Sequence, residues 1–197
     1  MRVLLFAGKG GAGTTTVAAA TAAAAARRGV KTLLVVGEHP DSLVDLVGAE
    51  VGAGAPQEVE PSWAVLRADP TAQLGRTWST VQRYLRELPD AAAVGVGEVA
   101  SLLAASGAQP LLSLLALREQ VRNGPWDLVV VDGGTGPQAL QLLTVADDLL
   151  RVVDRVWPPE RRLGLSRRRP HPLLSRAVAR LREELEEARS VLRSATT

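Results

Sequence analysis

With 197 residues, 46% of them apolar, the chain is long enough for one domain with a packed core, and its net charge of +2 says little about partners, so that nucleic acid is not expected as one. There is no cysteine, so disulfides, thiol nucleophiles and thiolate metal centres are excluded, and no run approaches the roughly 18 apolar residues of a membrane span. With no signal peptide visible, the expectation is a soluble, cytoplasmic protein that is not an integral membrane protein.

Residues 2–7 (Arg-Val-Leu-Leu-Phe-Ala) are a short continuous apolar run, the pattern of a strand buried on both faces of a parallel sheet. A glycine-rich stretch follows, Gly8-Lys9-Gly10-Gly11-Ala12-Gly13-Thr14-Thr15-Thr16, and leads into alanines that predict a helix from Thr14 to Arg28, with Arg27 and Arg28 in its last turn and Gly29 as its stop. Lys31 to Gly37 is a second buried-strand pattern, so residues 2–37 read as a βαβ unit. The loop Glu38-His39-Pro40-Asp41-Ser42 then leaves the edge of the sheet on which open α/β folds place ligands.

Residues 48–61, rich in glycine, proline and acidic groups, read as a connection, and Trp63 to Arg67 as a short strand. From about 71 to 122 the spacing of apolar residues is helical and predicts an insertion between strands, with one run from Leu111 to Val121 ahead of Asn123-Gly124-Pro125. Trp126 to Val131 is the clearest buried strand, with Asp132 at its C-terminal end. Beyond it lies an arginine-rich, proline-interrupted segment, and a tail helix begins near Ser175 with Val178, Leu181, Leu185, Ala188 and Leu192 on one stripe. The organisation expected is a domain over residues 1–150, followed by a basic linker and an amphipathic helix over 151–197 that packs on it. The arginines of 161–169 read as a solvated face or linker, and His39 and His171 do not make a metal site by themselves.

Two phosphate-binding templates compete for the glycine stretch. Gly8-x-Gly10-x-x-Gly13 fits a dinucleotide fingerprint, in which Glu38 accepts a ribose hydroxyl, giving an NAD(P)-binding Rossmann-type domain. The template G-x-x-x-x-G-K-[ST] fits Gly8 to Thr15 at every position but one, because Thr14 stands where the lysine belongs. Asp132 favours the second: an apolar strand ending in Asp beside such a loop holds Mg2+ in nucleoside triphosphatases. The plainer alternatives are a glycine turn that lets a helix pack closely on a strand, and an Asp that forms a turn or caps a helix.

Lys9-Gly10-Gly11-Ala12-Gly13-Thr14-Thr15-Thr16 resembles the deviant Walker A loop, KGGxGKTT, of the arsenite-pump (anion-transporting) ATPases and the tail-anchored-protein-targeting ATPases, a branch similar to the ParA/MinD partition ATPases. Glu38-His39-Pro40 stands where that family has a Thr-Asp-Pro switch, and Asp132-Gly133-Gly134-Thr135-Gly136 where it has Asp-Thr-Ala-Pro-Thr. The resemblance implies an α/β, P-loop NTPase-like fold, with a mostly parallel sheet flanked by helices, a helical insertion and a C-terminal helix. It implies ATP and Mg2+ as ligands. Gly8, Lys9, Gly10, Gly11, Ala12, Gly13, Thr14, Thr15 and Thr16 would bind the nucleotide, with Thr15 and, through water, Asp132 at the metal.

Lys9 matches the signature lysine that reaches a partner's nucleotide across a dimer. The resemblance therefore implies a homodimer, or a heterodimer with a paralogous ATPase in which this chain is a non-catalytic subunit, and admits a membrane-protein client. Thr14 replaces the P-loop lysine and His39 the switch carboxylate that orients water, so ATP hydrolysis is expected to be weak or lost; Lys9 and His39 are the candidates left for a catalytic part. Gln138 stands at a His position of the family. The likeness is to the N-terminal portion of the family fold, and the four strands read here would leave a parallel sheet with an unprotected edge for a partner or further chain to cover.

Overall fold

The apolar runs form the sheet of a computed structural model that describes residues 1–37, 43–68, 108–156 and 172–194. In chain order the elements are β1 (Arg2–Gly8), α1 (Thr14–Ala26), β2 (Thr32–Val36), α2 (Leu43–Val47), β3 (Gln57–Glu60), β4 (Trp63–Arg67), α3 (Ala108–Asn123), β5 (Leu128–Thr135), α4 (Gly136–Val156) and α5 (Pro172–Ser194). The five strands are ordered β1-β5-β2-β4-β3. The first four in that order run parallel, and β3 joins β4 antiparallel. This is the α/β, mostly parallel sheet flanked by helices that the resemblance implies.

Alternation along the strands divides the core between the two faces. Leu33, Val35, Ala64, Leu66, Val129 and Val131 point to one side and pack under α3, α4 and α5. Leu34, Val36, Val65 and Val130 point to the other, under α1 and α2. All five residues of β2 are buried, as a strand covered on both faces requires. Helix α1 can lie close to the sheet because its buried positions, Ala18, Ala19, Ala22 and Ala26, carry only methyl groups.

The third layer is α5. Leu185, Ala188, Val191 and Leu192 are buried against the helices below, and a row of ion pairs flanks them. Arg182 contacts Asp154, Arg189 reaches Asp147 at 3.3 Å, and Arg118 on α3 reaches Glu187 at 3.0 Å. Pairs of this kind at a partly exposed rim fix orientation more than they add stability, so the apolar stripe carries the docking.

Several expectations change. Residues 48–61 are not only a connection, because Gln57–Glu60 is a strand that hydrogen-bonds along β4. Among the described residues the sheet therefore has five strands rather than four, and its β4 edge is covered from within the chain. Helix α1 ends at Ala26, with Arg27 as its C-cap rather than in its last turn, because the chain turns at Gly29, whose φ of 80° is open to glycine. The tail helix starts earlier than Ser175, and α4 runs through residues 150 and 151 without a break. Within the expected helical insertion, residues 69–107 lie outside the described residues, as do the basic stretch 157–171 and the loop 38–42. No described helix is long and apolar enough to cross a membrane.

Candidate nucleotide site

The glycine stretch connects the C-terminal end of β1 to the N-terminus of α1. Gly11 and Gly13 hold φ angles of 78° and 79°, which an L side chain rarely adopts, and these two reversals bend the loop into an arch. The Ala12 N–H donates to the Lys9 carbonyl at 3.0 Å, which closes the tip of the arch. Gly13 is the N-cap of α1, and no side chain caps that end. The first-turn amides of α1 have no carbonyl four residues back to receive them, so they and the positive end of the helix dipole face the loop. Such a corner binds anions through the backbone alone.

Register brings a carboxylate to the same place. Asp132 on β5 is level with Phe6 on β1 and with Val36 on β2, beside the C-terminal ends of both strands. The Thr15 hydroxyl, on the first turn of α1, donates to Asp132 Oδ2 at 2.6 Å, although 117 residues separate the two. The other carboxylate oxygen accepts the Gly134 N–H at 3.0 Å, so the Asp132 side chain is held from both sides. Thr15 and Asp132 together offer hydroxyl and carboxylate oxygens, the hard donors that Mg2+ takes. Among the described residues no group of three or more His, Cys, Asp or Glu gathers elsewhere as a metal site.

Strand β5 extends past the apolar run to Thr135, and the register with β1 shifts between Phe6 and Gly8. Two glycines make that extension possible. A Cβ on Gly133 would lie 2.9 Å from Leu5 Cδ1 and 3.0 Å from the Phe6 carbonyl oxygen, and Gly134 has a φ of 66°. Thr135 is thereby set opposite Gly8, with its methyl group 3.8 Å from the position of a Cβ on Gly10, so the 132–135 turn closes over the arch. Gln138 Oε1 accepts from both the amide and the hydroxyl of Thr135 at 2.8 Å, as in a helix-capping box, and fixes the turn to the start of α4. The sequence indicated Asp132 but not Thr135 and Gln138 as a unit; the T-x-x-Q spacing ahead of the apolar stripe of α4 was the available signal.

The remaining candidates are placed as follows. Lys9 is exposed at the tip of the loop, and Gly8, Thr14 and Thr15 are partly buried at its base. The Thr14 hydroxyl folds back toward Gly8, where an added Cβ would come within 2.5 Å of it. Thr16 is exposed on the first turn of α1. His39 and Glu38 lie outside the described residues.

Comparison with known proteins identifies the family. A family model described as anion-transporting ATPase matches residues 1–195. An uncharacterised protein of Streptomyces coelicolor is 36% identical over 207 residues, covering 100% of this chain and 53% of its own length. A protein of Chlorobaculum tepidum whose name assigns it as an arsenical pump-driving ATPase is 31% identical over 76% of this chain and 36% of its own. A Mycobacterium tuberculosis protein is 32% identical over 83% of this chain and 42% of its own. The chain thus spans about half the length of these relatives, or less. With the match extending over nearly every residue, the chain belongs to the anion-transporting ATPase family.

Proposed function

We propose that this chain binds ATP with Mg2+ and hydrolyses it weakly or not at all. The observation that carries the reading is the 2.6 Å contact between the Thr15 hydroxyl and the Asp132 carboxylate at the mouth of an uncapped helix N-terminus. The arch from Gly8 to Thr16 cradles the β- and γ-phosphates with its amides. Thr15 and Asp132 hold the cation, Asp132 through water, and the nucleotide's own phosphates complete the shell; Mg2+ is usually held in this way, by one or two carboxylates plus phosphate oxygens. Bound there, it would neutralise charge on the phosphates during transfer. Gln138 keeps Thr135 over the arch, which restricts water at the phosphate end.

Catalysis is reduced by Thr14. The family's lysine at this position places a cation on the phosphates, and a hydroxyl supplies at best a neutral hydrogen bond. Loss of one charge-assisted bond costs about 1.5–3 kcal/mol, or about ten- to a hundredfold in binding or rate. His39, in place of a switch carboxylate, weakens the orientation of attacking water further.

A second reading rests on Lys9, which is exposed at the tip of the loop rather than folded into it. In that reading the chain is the non-catalytic member of a nucleotide-dependent pair with a paralogous ATPase, or with a second copy, and Lys9 contacts the other subunit's nucleotide. The cytoplasm is the compartment in which both readings place the protein.

Isothermal titration with ATP, with and without Mg2+ and against NAD+ as competitor, tests the proposal. Micromolar to millimolar ATP binding that requires Mg2+ is the expected result. Absence of ATP binding, or dinucleotide binding indifferent to Mg2+, would overturn it in favour of the Rossmann-type alternative.

A further inference from the structure

The turn that follows Asp132 lies against the arch, and one side chain on α4 holds it there. Between Asp132 and Thr135 stand only Gly133 and Gly134, so the segment has no side chain of its own to stiffen it. At its start the Asp132 carboxylate accepts the Gly134 N–H at 3.0 Å. At its end a single oxygen, Gln138 Oε1, accepts both the amide and the hydroxyl of Thr135, each at 2.8 Å. The same carboxamide lies over Gly134, where an added Cβ would come within 2.6 Å of Oε1. Gln138 is itself fixed by the first turns of α4, whose Ala139 and Leu142 are buried against the sheet. The residue so held faces the arch: Thr135 is level with Gly8, and its methyl group is 3.8 Å from the position of a Cβ on Gly10.

The two ends of this turn border different parts of a bound nucleotide. Asp132, with Thr15, stands at the oxygens that would hold a cation, and such a cation is shared by the last two phosphates of a triphosphate. The amides at the helix end of the loop take the earlier phosphates. The terminal phosphate therefore falls on the far side of the arch, beside Gly10, where the Thr135 methyl group lies. We infer that Gln138 is a specificity-determining positioning residue: through Thr135 it closes the place of the terminal phosphate, so that the site takes a nucleoside diphosphate in preference to a triphosphate. The inference rests on the reading of the arch as a magnesium-nucleotide site. Thr135 supplies the bulk and Gln138 the hold. A diphosphate leaves both hydrogen bonds of the clasp in place. A triphosphate has to push Thr135 aside and give them up, and the net worth of one or two neutral hydrogen bonds corresponds to about tenfold in affinity.

Isothermal titration of the full chain with Mg2+, against ADP and against a non-hydrolysable ATP analogue, tests the inference through the ratio of the two affinities. A side chain that only supports the fold would weaken both nucleotides alike and leave that ratio where it was. Wild type should bind the diphosphate about tenfold more tightly than the triphosphate. Gln138→Met keeps the length of the side chain without its acceptor, and Thr135→Ala removes the methyl group over Gly10. Each should bring the two affinities together by raising that for the triphosphate. The double variant should go no further than Thr135→Ala alone, because Gln138 acts through Thr135. A triphosphate preference in wild type, a ratio that moves by less than about threefold in both single variants, or additive effects in the double variant would overturn the inference while leaving nucleotide binding itself intact. Failure of either nucleotide to bind at all would overturn it together with the reading of the site.

Discussion

Replacing Thr14 with lysine should convert a weak nucleotide site into a tight one. Thr14 is the first residue of α1, and its hydroxyl lies over Gly8, so a side chain starting from this Cβ runs across the entrance of the arch. On the proposed nucleotide site, a lysine extending along the same path would end in a cation among the phosphate oxygens. The gain is that of one charge-assisted hydrogen bond, about 1.5–3 kcal/mol, or about ten- to a hundredfold in affinity. Titration of wild type, Thr14→Lys and Thr14→Gln with ATP and Mg2+ measures it, with thermal midpoints checking that all three fold. Thr14→Gln has length without charge and should gain little. If Thr14→Lys tightened binding less than about threefold, or if Thr14→Gln matched it, the assignment of Thr14 to the phosphate-facing position would be wrong.

Further outcomes concern the frame of the site and the docking of α5. Gly8→Ala should destabilise the protein by about 1–3 kcal/mol, because its methyl group would meet the Thr14 hydroxyl at 2.5 Å; combining it with Thr14→Ala should recover much of the loss, and additive costs in urea unfolding would contradict the contact. On the outer layer, Leu185→Ala should cost about 2–5 kcal/mol, since Leu185 is fully buried. By contrast, Arg182→Ala should cost at most about 1 kcal/mol, since its pairs with Asp154 and Glu186 are partly exposed. The reverse order in urea unfolding would mean that ion pairs rather than the apolar stripe hold α5.

The parallel strands were legible because each is a continuous apolar run, and a strand covered on both faces can be little else. The same criterion passed over β3. Its sequence, Gln-Glu-Val-Glu, carries only one apolar side chain because an antiparallel edge strand faces water on several sides, so charge and brevity disguised it as loop. Strand β5 was read as ending at Asp132 because the apolar pattern stops there. It continues through Gly133 and Gly134, which have no side chain to show a period but allow the close approach to Leu5 and Phe6.

The meeting of Thr15 with Asp132 was foreseeable, since the loop that leads from β1 into α1 and the carboxyl end of the Asp132 strand lie on one edge of a parallel sheet. The sheet order was not. Nothing local in Arg2–Gly8 or Thr32–Val36 says that β5 lies between them, because that choice is made by non-local packing of α1 on one face and α3 and α4 on the other.

Thr15 and Asp132 are proposed to serve a magnesium nucleotide together. The most direct measurement is the affinity for ATP with and without Mg2+, in wild type and in Asp132→Asn, which keeps the shape of the side chain and an oxygen for the Gly134 N–H but loses its charge. Wild type should bind ATP at least about tenfold more tightly with Mg2+ than without it, and Asp132→Asn should lose most of that difference. An equal response to Mg2+ in the two proteins would contradict the account.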